Sequence, residues 1–259
     1  MLALITGASS GMGRDMARVL AHKGYDLILV ARRKERLEKL AKELEIKVTI
    51  IDLDLSIEDS CYKLYDKVKN KDIDIVINNA GFGLFGIFTE TDLDTELKMI
   101  DLNIKAYHIL TKLFLRDFVK KDKGYILNVC SSAGFMAGPR LSTYYATKNY
   151  VTKLTMAIHE ELKRMKSNVH ISALCPGPVA TEFNEVAHGN FAIREANSYS
   201  VAEYAIDKLF KHKMIIVPTV LMKLTLFMNR FAPYSLSLKI AYNIQKRKEE
   251  GNKKTNNKK

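Results

Sequence analysis

Cysteine is scarce in this chain, which has 259 residues and three cysteines. Cys61, Cys130 and Cys175 show no pairing pattern, and two of them follow apolar runs, where free buried thiols are ordinary. This excludes a disulfide-stapled secreted domain, and a reducing cytoplasm is the expected compartment. Because the chain enters an apolar run at its second residue, we also expect no signal peptide.

Metal-ligand spacing is lacking too. The six histidines are scattered, and no spacing of cysteine or histidine residues suggests a metal site. We interpret each histidine as a surface or packing residue and predict no metal. These residues are His22, His108, His159, His170, His188 and His212.

Acidic residues are fewer than basic ones, 29 against 41, which leaves a formal net charge of +12. Part of the surplus crowds residues 246–259, which are polar and predicted to form a basic disordered tail. A basic surplus can attract nucleic acid, anionic lipid or phosphate-bearing ligands. No nucleic-acid recognition module is visible, so no nucleic-acid partner is predicted.

A membrane-spanning helix needs about 20 mostly apolar residues. The strongly apolar segment 219–242 contains Lys223 and Arg230, which argue against spanning. We interpret 218–245 as an apolar helical extension with two open roles. It covers a ligand cleft or a subunit interface, or it rests on an anionic membrane surface with help from the basic tail. Either role favours an apolar ligand.

Short apolar runs alternate with amphipathic helical patterns over residues 1–217. This alternation predicts one α/β domain, a doubly wound parallel sheet of about seven strands with helices on both faces. A chain of this length fits a single such domain. The predicted strands are 2–5, 27–31, 48–51, 73–77, 125–129, 169–174 and 214–217. A first helix follows the first strand and ends near Gly24, and the later helices are 33–44, 57–70, 92–119, 142–166 and 200–211.

Chemical motifs follow the ends of these strands. The first strand leads into Thr6-Gly7-Ala8-Ser9-Ser10-Gly11-Met12-Gly13 and then a helix, an arrangement in which backbone and helix N-terminus can bind phosphate. The second strand ends at Ala31-Arg32-Arg33. The helix dipole disfavours basic residues at the start of a helix, whereas a guanidinium matches the geometry of a phosphate, so we interpret Arg32 as a phosphate ligand. Ligands of such sheets bind beyond the carboxyl ends of the strands, so the motifs predict one shared site.

Tyr144 and Lys148 lie four residues apart in a predicted helix, with Ser131 thirteen residues before Tyr144. Residues at this spacing share one helix face. An ammonium beside a phenol favours the phenolate, so Lys148 is expected to lower the pKa of Tyr144 and let it give and take a proton. With the Ser131 hydroxyl, the three groups suit the interconversion of a carbonyl and an alcohol.

The sequence closely resembles the short-chain dehydrogenase/reductase family over roughly residues 1–217. The resemblance implies a Rossmann-type fold and a nicotinamide cofactor, and Ala31-Arg32 looks like the pattern of members that prefer NADP(H). Its motifs, in family order, are Thr6-Gly7-x-x-x-Gly11-x-Gly13, Asn78-Asn79-Ala80-Gly81, Asn103, Ser131, Tyr144-x-x-x-Lys148 and Pro176-Gly177.

The resemblance also implies residue roles. Tyr144 would be the proton donor, Lys148 would lower its pKa and bind the nicotinamide ribose, and Ser131 would orient the carbonyl. Asn103 would hold a water that links Lys148 to solvent. The implied cofactor-binding residues are Gly7, Ser9, Ser10, Gly11, Met12, Gly13, Arg32, Arg33, Asp54, Leu55, Asn79, Ala80, Gly81, Tyr144, Lys148, Pro176, Gly177, Val179 and Thr181.

Two neighbouring positions qualify this match. Cys130 stands where many relatives have serine; the spacing assigns the role to Ser131, with Ser132 as the fallback. Tyr145 points about 100° away from Tyr144 on a helix and is interpreted as packing or substrate wall. By resemblance, residues 182–200 would form a substrate lid lined by Phe183, Phe191 and Ile193.

The leading prediction is an NADP(H)-dependent oxidoreductase that interconverts an apolar carbonyl compound and a secondary alcohol. It is expected in the cytoplasm as a homodimer or homotetramer, built through helices 92–119 and 142–166 by analogy with the family. The alternative is a catalytically weak, NADPH-sensing binding protein with the same fold.

Overall fold

A parallel sheet of seven strands forms the centre of the molecule. The computed structural model describes residues 1–182 and 195–256, with side chains as far as Lys246 in the last helix. Neighbouring strands are hydrogen-bonded in the order β3-β2-β1-β4-β5-β6-β7. The strands are β1 Leu2–Thr6, β2 Asp26–Ala31, β3 Val48–Asp52, β4 Ile75–Asn78, β5 Gly124–Val129, β6 Val169–Leu174 and β7 Ile215–Ile216.

Helices cover both faces of this sheet, which confirms the predicted doubly wound α/β architecture. They are α1 Gly11–His22, α2 Lys34–Glu43, α3 Glu58–Val68, α4 Leu93–Ile100, α5 Tyr107–Lys121, α6 Ser142–Arg164, α7 Ser198–Phe210, α8 Val220–Asn229 and α9 Tyr234–Asn256, with a short 3-10 helix Ser132–Phe135 before α6.

Alternation along the strands explains why both faces need cover. In β1, Ala3 and Ile5 belong to one buried apolar cluster, and Leu4 belongs to the cluster on the other face. Successive side chains of a strand point to opposite faces of the sheet. An uninterrupted apolar run therefore makes both faces apolar, and both must be covered by helices. The strand order reverses between β1 and β4, and this switch point opens a crevice at their carboxyl ends.

The predicted helix 92–119 is present but not regular. A π-helical segment, Asp101–Ala106, joins α4 to α5. Such segments are rare and often occur at functional sites. Asn103 lies within this segment and is fully buried.

The C-terminal extension consists of two helices, α8 and α9, with Pro233 between them. The tail predicted to be disordered from residue 246 needs correction, because the backbone of α9 continues as a helix through Asn256. Once a helix is nucleated, each further residue adds a hydrogen bond at little cost, so polar composition alone did not predict where it ends. Most of the predicted lid, with Phe183, Phe191 and Ile193, lies outside the described residues.

Candidate active site

A cavity of about 440 Å³ lies at the carboxyl edge of the sheet. It brings together nearly all the residues singled out in the sequence, with Gly13 and Asn103 packed behind its wall. The predicted residues that line it are Gly7, Ser9, Ser10, Gly11, Met12, Arg32, Arg33, Asp54, Leu55, Asn79, Ala80, Gly81, Ser131, Tyr144, Lys148, Pro176, Gly177, Val179 and Thr181.

The glycine turn is held against the end of β4. Thr6 Oγ1 accepts hydrogen bonds from the backbone N–H groups of Asn79 and Ala80, at 2.9 and 3.1 Å. Asn79 Nδ2 donates to the carbonyls of Thr6 and Gly7 at 3.0 and 3.1 Å. Gly7 has φ +65°, and a Cβ there would lie 2.8 Å from the Cα of Ala80, so both conformation and space require glycine.

The N-terminus of α1 faces the cavity without a cap of its own. Ser10 occupies the N-cap position in extended backbone, and among the described residues no hydrogen bond from its side chain closes the first turn. The first turn also has no acidic residue. The free N–H groups and the helix dipole therefore remain available to an anionic group, as a pyrophosphate site needs.

Two arginines border this end of the cavity differently. Arg33 donates to the hydroxyls of Ser9 and Ser10 at 3.2 and 3.0 Å, so its guanidinium lies over the glycine turn. Arg32 is paired with Asp54 at 3.6 Å. Burial would raise the pKa of Asp54, but hydrogen bonds from Ser56 and the charge of Arg32 hold it below its usual range. The sequence singled out Arg32 as the phosphate ligand, whereas in the structure it is Arg33 that contacts the glycine turn.

Ser131, Tyr144 and Lys148 converge on the opposite end of the cavity. Ser131 follows β5 and is hydrogen-bonded with Tyr144 in the first turn of α6. Its Oγ also accepts from the backbone N–H of Ala133 at 3.1 Å. Lys148 Nζ lies 5.8 Å from the Tyr144 ring centroid and donates to the carbonyl of Val129 at 2.9 Å. Ser131, rather than the fallback Ser132, is the serine that meets Tyr144.

Burial governs the proton affinities of this cluster. It raises the pKa of Tyr144, although the hydrogen bond with Ser131 opposes the shift. It also lowers the pKa of Lys148 to about 8. The net shift of the Tyr144 pKa is thus opposite in direction to the lowering expected from Lys148, and burial is its largest cause. Tyr144 is therefore a protonated phenol at neutral pH.

Asn103 supports the site from behind. Its Nδ2 donates to the Phe82 carbonyl at 2.9 Å and to Thr147 Oγ1 at 3.1 Å, and its Oδ1 accepts from the Phe82 N–H at 3.2 Å. A Cβ on Gly81 would lie 2.9 Å from Asn103 Oδ1 and 3.6 Å from Lys148 Nζ. Asn103 thereby ties the loop after β4 to the helix that carries Tyr144 and Lys148.

Gln245 is a cavity residue that the sequence did not indicate. It comes from α9, lines the cavity, and donates through Nε2 to the Tyr145 hydroxyl at 3.0 Å. Its Oε1 is buried and has no hydrogen-bond partner among the described residues. Met222 of α8 joins the same wall, where its side chain packs against Gly177. Neither residue belongs to a recognisable motif, so no sequence signal could have located them.

No group of three or more histidine, cysteine, aspartate or glutamate side chains in the described ranges is arranged to hold a metal ion. Cys130, the departure noted in the sequence, is buried beside the cluster and hydrogen-bonded with Cys175. Burial raises the pKa of the Cys175 thiol well above its usual range.

Relatives in sequence agree with this geometry. Residues 1–190 match the family model described as short chain dehydrogenase. An uncharacterized oxidoreductase of Staphylococcus saprophyticus is 32% identical over 188 residues, which cover 70% of this chain and 79% of that protein. The very-long-chain 3-oxoacyl-CoA reductase of Homo sapiens is 31% identical over 192 residues, covering 71% of this chain and 61% of the human protein.

A solved structure agrees as well. The short-chain dehydrogenase from Sphingobium yanoikuyae in complex with NADPH superposes with a TM-score of 0.79 at 28% identity, covering 85% of this chain and 88% of that one. With the sheet order, the crevice and the clustered motifs, these matches establish the family. The chain belongs to the short-chain dehydrogenase/reductase family, whose fold binds a nicotinamide cofactor, and is an oxidoreductase acting on CH–OH and carbonyl groups.

Proposed function

We propose that this protein is an NADP(H)-dependent oxidoreductase that interconverts a carbonyl and a secondary alcohol, with Tyr144 as the proton donor and acceptor. The observation that carries the proposal is the meeting of Ser131, Tyr144 and Lys148 at one end of a cavity whose other end is the glycine turn. The proton-transfer groups and a turn suited to phosphate binding therefore line the same cavity.

The residues present fit the cofactor. The uncapped N-terminus of α1 and the close backbone approach at Gly7 suit a pyrophosphate. Asp54 and Leu55 are proposed to meet the adenine, and Asn79 to Gly81 the adenosine side. Tyr144 and Lys148 would hold the nicotinamide ribose, and the nicotinamide amide would be held by Pro176, Gly177, Val179 and Thr181.

When bound, NADP(H) supplies or accepts the hydride. Ser131 and Tyr144 donate hydrogen bonds to the substrate carbonyl oxygen and polarise it. Tyr144 then gives its phenolic proton to that oxygen, forming the O–H bond of the alcohol and leaving a phenolate. The Lys148 ammonium stabilises the phenolate, and burial ensures that the phenol is protonated when reduction begins. Asn103 is proposed to position Lys148, and the water link to solvent implied by the family remains a prediction.

Preference for NADP(H) rests on the arginines at the end of β2. Arg33 lies over Ser9 and Ser10, and Arg32 borders the same cavity. Burial and the crowding of Arg33 by the positive charges of Arg36 and Arg32 lower the pKa of Arg33, and Glu182 opposes this shift. A 2′-phosphate would relieve that crowding by accepting bidentate hydrogen bonds from guanidinium.

The substrate is proposed to be apolar with a hydrogen-bond donor away from the reacting carbonyl. Met136, Leu141, Met222 and Ile244 give the cavity an apolar wall. The unpartnered Gln245 Oε1 would accept from the substrate donor, because a buried carbonyl oxygen without a partner is costly. The name of the human relative, a very-long-chain 3-oxoacyl-CoA reductase, adds 3-oxoacyl thioesters to the compounds worth testing.

The oligomeric state, the membrane contact and the cellular location of the protein are also proposed. We propose a homodimer or homotetramer that uses α4, α5 and α6, and contact between residues 219–242 and a membrane surface. A cytoplasmic location remains the prediction, with which three free, buried cysteines are compatible.

The test is NADPH oxidation against a panel of aldehydes, ketones, diketones and 3-oxoacyl thioesters. Tyr144→Phe should lower kcat by about 10²–10⁴-fold, the usual contribution of a general acid, while NADPH still binds. Tyr145→Phe is the matched control, since it removes a neighbouring phenol that meets Gln245, and it should keep kcat within a few-fold. Equal rates for wild type and Tyr144→Phe contradict the mechanism. NADPH binding without turnover of any carbonyl favours the sensing alternative.

The same assay tests the cofactor preference. Arg33→Ala should raise KM for NADPH by about 10- to 100-fold, the loss of a charge-assisted contact, and leave KM for NADH unchanged. Lys39→Ala is the control, because Lys39 is an exposed cation of α2 that does not line the cavity. If wild type uses NADH as well as NADPH, or if both variants behave alike, the assignment of Arg33 is wrong.

A further inference from the structure

The two C-terminal helices expose an unusual amount of apolar surface. More than half of the large apolar side chains that are exposed in the described residues belong to α8, α9 and the turn between them. Phe231 is 72% exposed and Tyr234 is 89% exposed. We call this surface the C-terminal face; its members are Val220, Leu221, Leu224, Phe227, Met228, Phe231, Tyr234, Leu236, Leu238, Ile240 and Tyr242. An exposed apolar patch of this kind marks a contact site rather than ordinary solvent surface.

The helices are anchored to the body through a few residues, which fixes the orientation of the face. Met222 packs on Gly177, and Gln245 donates to Tyr145. Asn229 accepts from the Ser237 hydroxyl at 3.1 Å, which links α8 to α9. Phe227 and Phe231 form an edge-to-face pair with centroids 5.3 Å apart. These contacts hold α8 and α9 in place, and the side chains of the C-terminal face point away from the core.

Charge identifies the partner. No aspartate or glutamate occurs between Asp207 and Glu249, whereas Lys223, Arg230 and Lys239 accompany the apolar residues. All three cations are exposed, and no described carboxylate pairs with them. A second copy of this chain docking through the same face would set these cations against their own equivalents. An anionic lipid surface offers both the apolar layer and the opposite charge.

We propose that the C-terminal face docks on anionic membrane lipid and sets one wall of the cavity against the bilayer. Met222 and Thr225 of α8 and Ala241, Ile244 and Gln245 of α9 line that wall. No helix in the described ranges is both long and apolar enough to cross a membrane. The helices instead lie along the interface, with aromatic and aliphatic side chains in the acyl boundary and lysine and arginine among the headgroups. Docking itself is independent of the oxidoreductase chemistry; the delivery of an apolar substrate from the bilayer rests on the proposed function.

Co-sedimentation of the full chain with vesicles tests the docking without any turnover. Binding to vesicles of phosphatidylcholine with phosphatidylglycerol should exceed binding to phosphatidylcholine alone, and added salt should weaken it. Arg230→Gln/Lys239→Gln should weaken binding about 30-fold, the effect of removing two cations near an anionic surface. Leu224→Gln/Phe231→Gln should weaken it at least tenfold on both vesicle types, because apolar burial is lost.

The matched control is Ile57→Gln/Tyr62→Gln, which removes two exposed apolar side chains from α3 and the residue before it and should bind vesicles like wild type. All substituted positions are exposed, and thermal melting should confirm unchanged folds. Absence of binding to anionic vesicles overturns the proposal, as does equal loss in the control. If Leu224→Gln/Phe231→Gln instead converts an oligomer into a monomer in sedimentation velocity, the face is a contact between copies. Turnover of a carbonyl compound by the non-binding variants would show that the proposed chemistry stands independently.

Discussion

At the scale of single residues, burial is the main cause of the pKa shifts of Tyr144 and Lys148, at the end of the cavity opposite the glycine turn. The spacing of Tyr144 and Lys148 predicts that they meet, and the structure brings them together. The spacing does not predict how deeply the surrounding chain buries these two side chains. The depth of burial determines whether a pKa is raised or lowered. The sequence therefore located these residues, whereas the direction of the Tyr144 pKa shift depends on burial, which the spacing does not specify.

The pKa of Lys148 gives a pH prediction. In carbonyl reduction the proposed mechanism needs a protonated Tyr144 and a protonated Lys148. Because burial lowers the pKa of Lys148 to about 8 and raises that of Tyr144, Lys148 loses its proton first as the pH rises. We expect kcat/KM for NADPH-dependent reduction to fall about tenfold per pH unit above about pH 8.

The profile is measured from steady-state rates across the alkaline range. Lys148→Arg, which keeps a positive charge at every accessible pH, should flatten the alkaline limb even if its overall rate is lower. A limb that keeps its position in Lys148→Arg would assign the titration to another group.

Gln245 marks the limit of prediction at this scale. Tyr145, its partner, stands 100 positions earlier in the chain. Motifs at the ends of strands are predictable because the parallel sheet aligns them along one edge. A residue carried into the cavity by a C-terminal helix depends on how that helix docks, which no short-range pattern specifies.

At the scale of elements, the glycine turn packs tightly against α1. Strands and helices were predictable from apolar periodicity, usually within one or two residues of their ends. The π-helical segment Asp101–Ala106 was not, because nothing in the local pattern distinguishes it from regular helix. Gly13 lies behind the cavity wall, where a Cβ would collide with the Gly7 carbonyl oxygen and Asn79 Nδ2. Its contact with the cofactor stays a prediction.

This packing gives a stability prediction. Gly13→Ala should lower the free energy of unfolding by about 1–3 kcal/mol, the cost of forcing extra volume into a packed site. The loss should occur although alanine favours a helix interior over glycine by about 1 kcal/mol. Urea denaturation, with the slope compared between variants, measures the change.

Gly24→Ala serves as the reference substitution. Gly24 has φ +79° with no atom within 4 Å of its would-be Cβ, so its cost is backbone strain alone, about 1–2 kcal/mol. The two variants should therefore differ in their affinity for NADPH. Gly13→Ala should weaken NADPH binding, whereas Gly24→Ala should not. Unchanged stability and cofactor affinity in Gly13→Ala would falsify the packing argument.

At the scale of the whole molecule, positive charge limits stability in acid. The chain carries a formal net charge of +12 before any histidine is protonated. His170 and His212 stack with centroids 3.4 Å apart, and His159, Lys163 and Lys166 line the same small cavity. Burial, and then the neighbouring His212 and His159, lower the pKa of His170. Among the described residues, no carboxylate lines that cavity to compensate a new charge.

The sign of the pH effect follows from the unfolded state. Below about pH 6.5 the unfolded chain binds a proton at His170 that the folded protein accepts only at lower pH. The free energy of unfolding should therefore decrease as the pH falls from about 6.5 towards the lowered pKa. Thermal melting across this range measures the decrease.

His212→Asn is the informative variant, because His212 has φ +55° and asparagine tolerates that conformation. Removing its imidazole should reduce the acid-induced loss of Tm while leaving Tm near pH 8 almost unchanged. His22→Asn is a control on a different part of the surface, where the ring meets Tyr199. An identical pH dependence in wild type and His212→Asn would exclude the stacked pair as the cause.

One helix, α9, takes part in two separate surfaces. Ala241 and Gln245 face the cavity, and Leu236 and Ile240 face outward. With the outward side on a bilayer, the two surfaces are thermodynamically linked: if substrate tightens lipid binding by some factor, lipid tightens substrate binding by the same factor. Substrate binding and lipid binding then reinforce each other. It is most fully loaded where its substrate and an anionic membrane occur together.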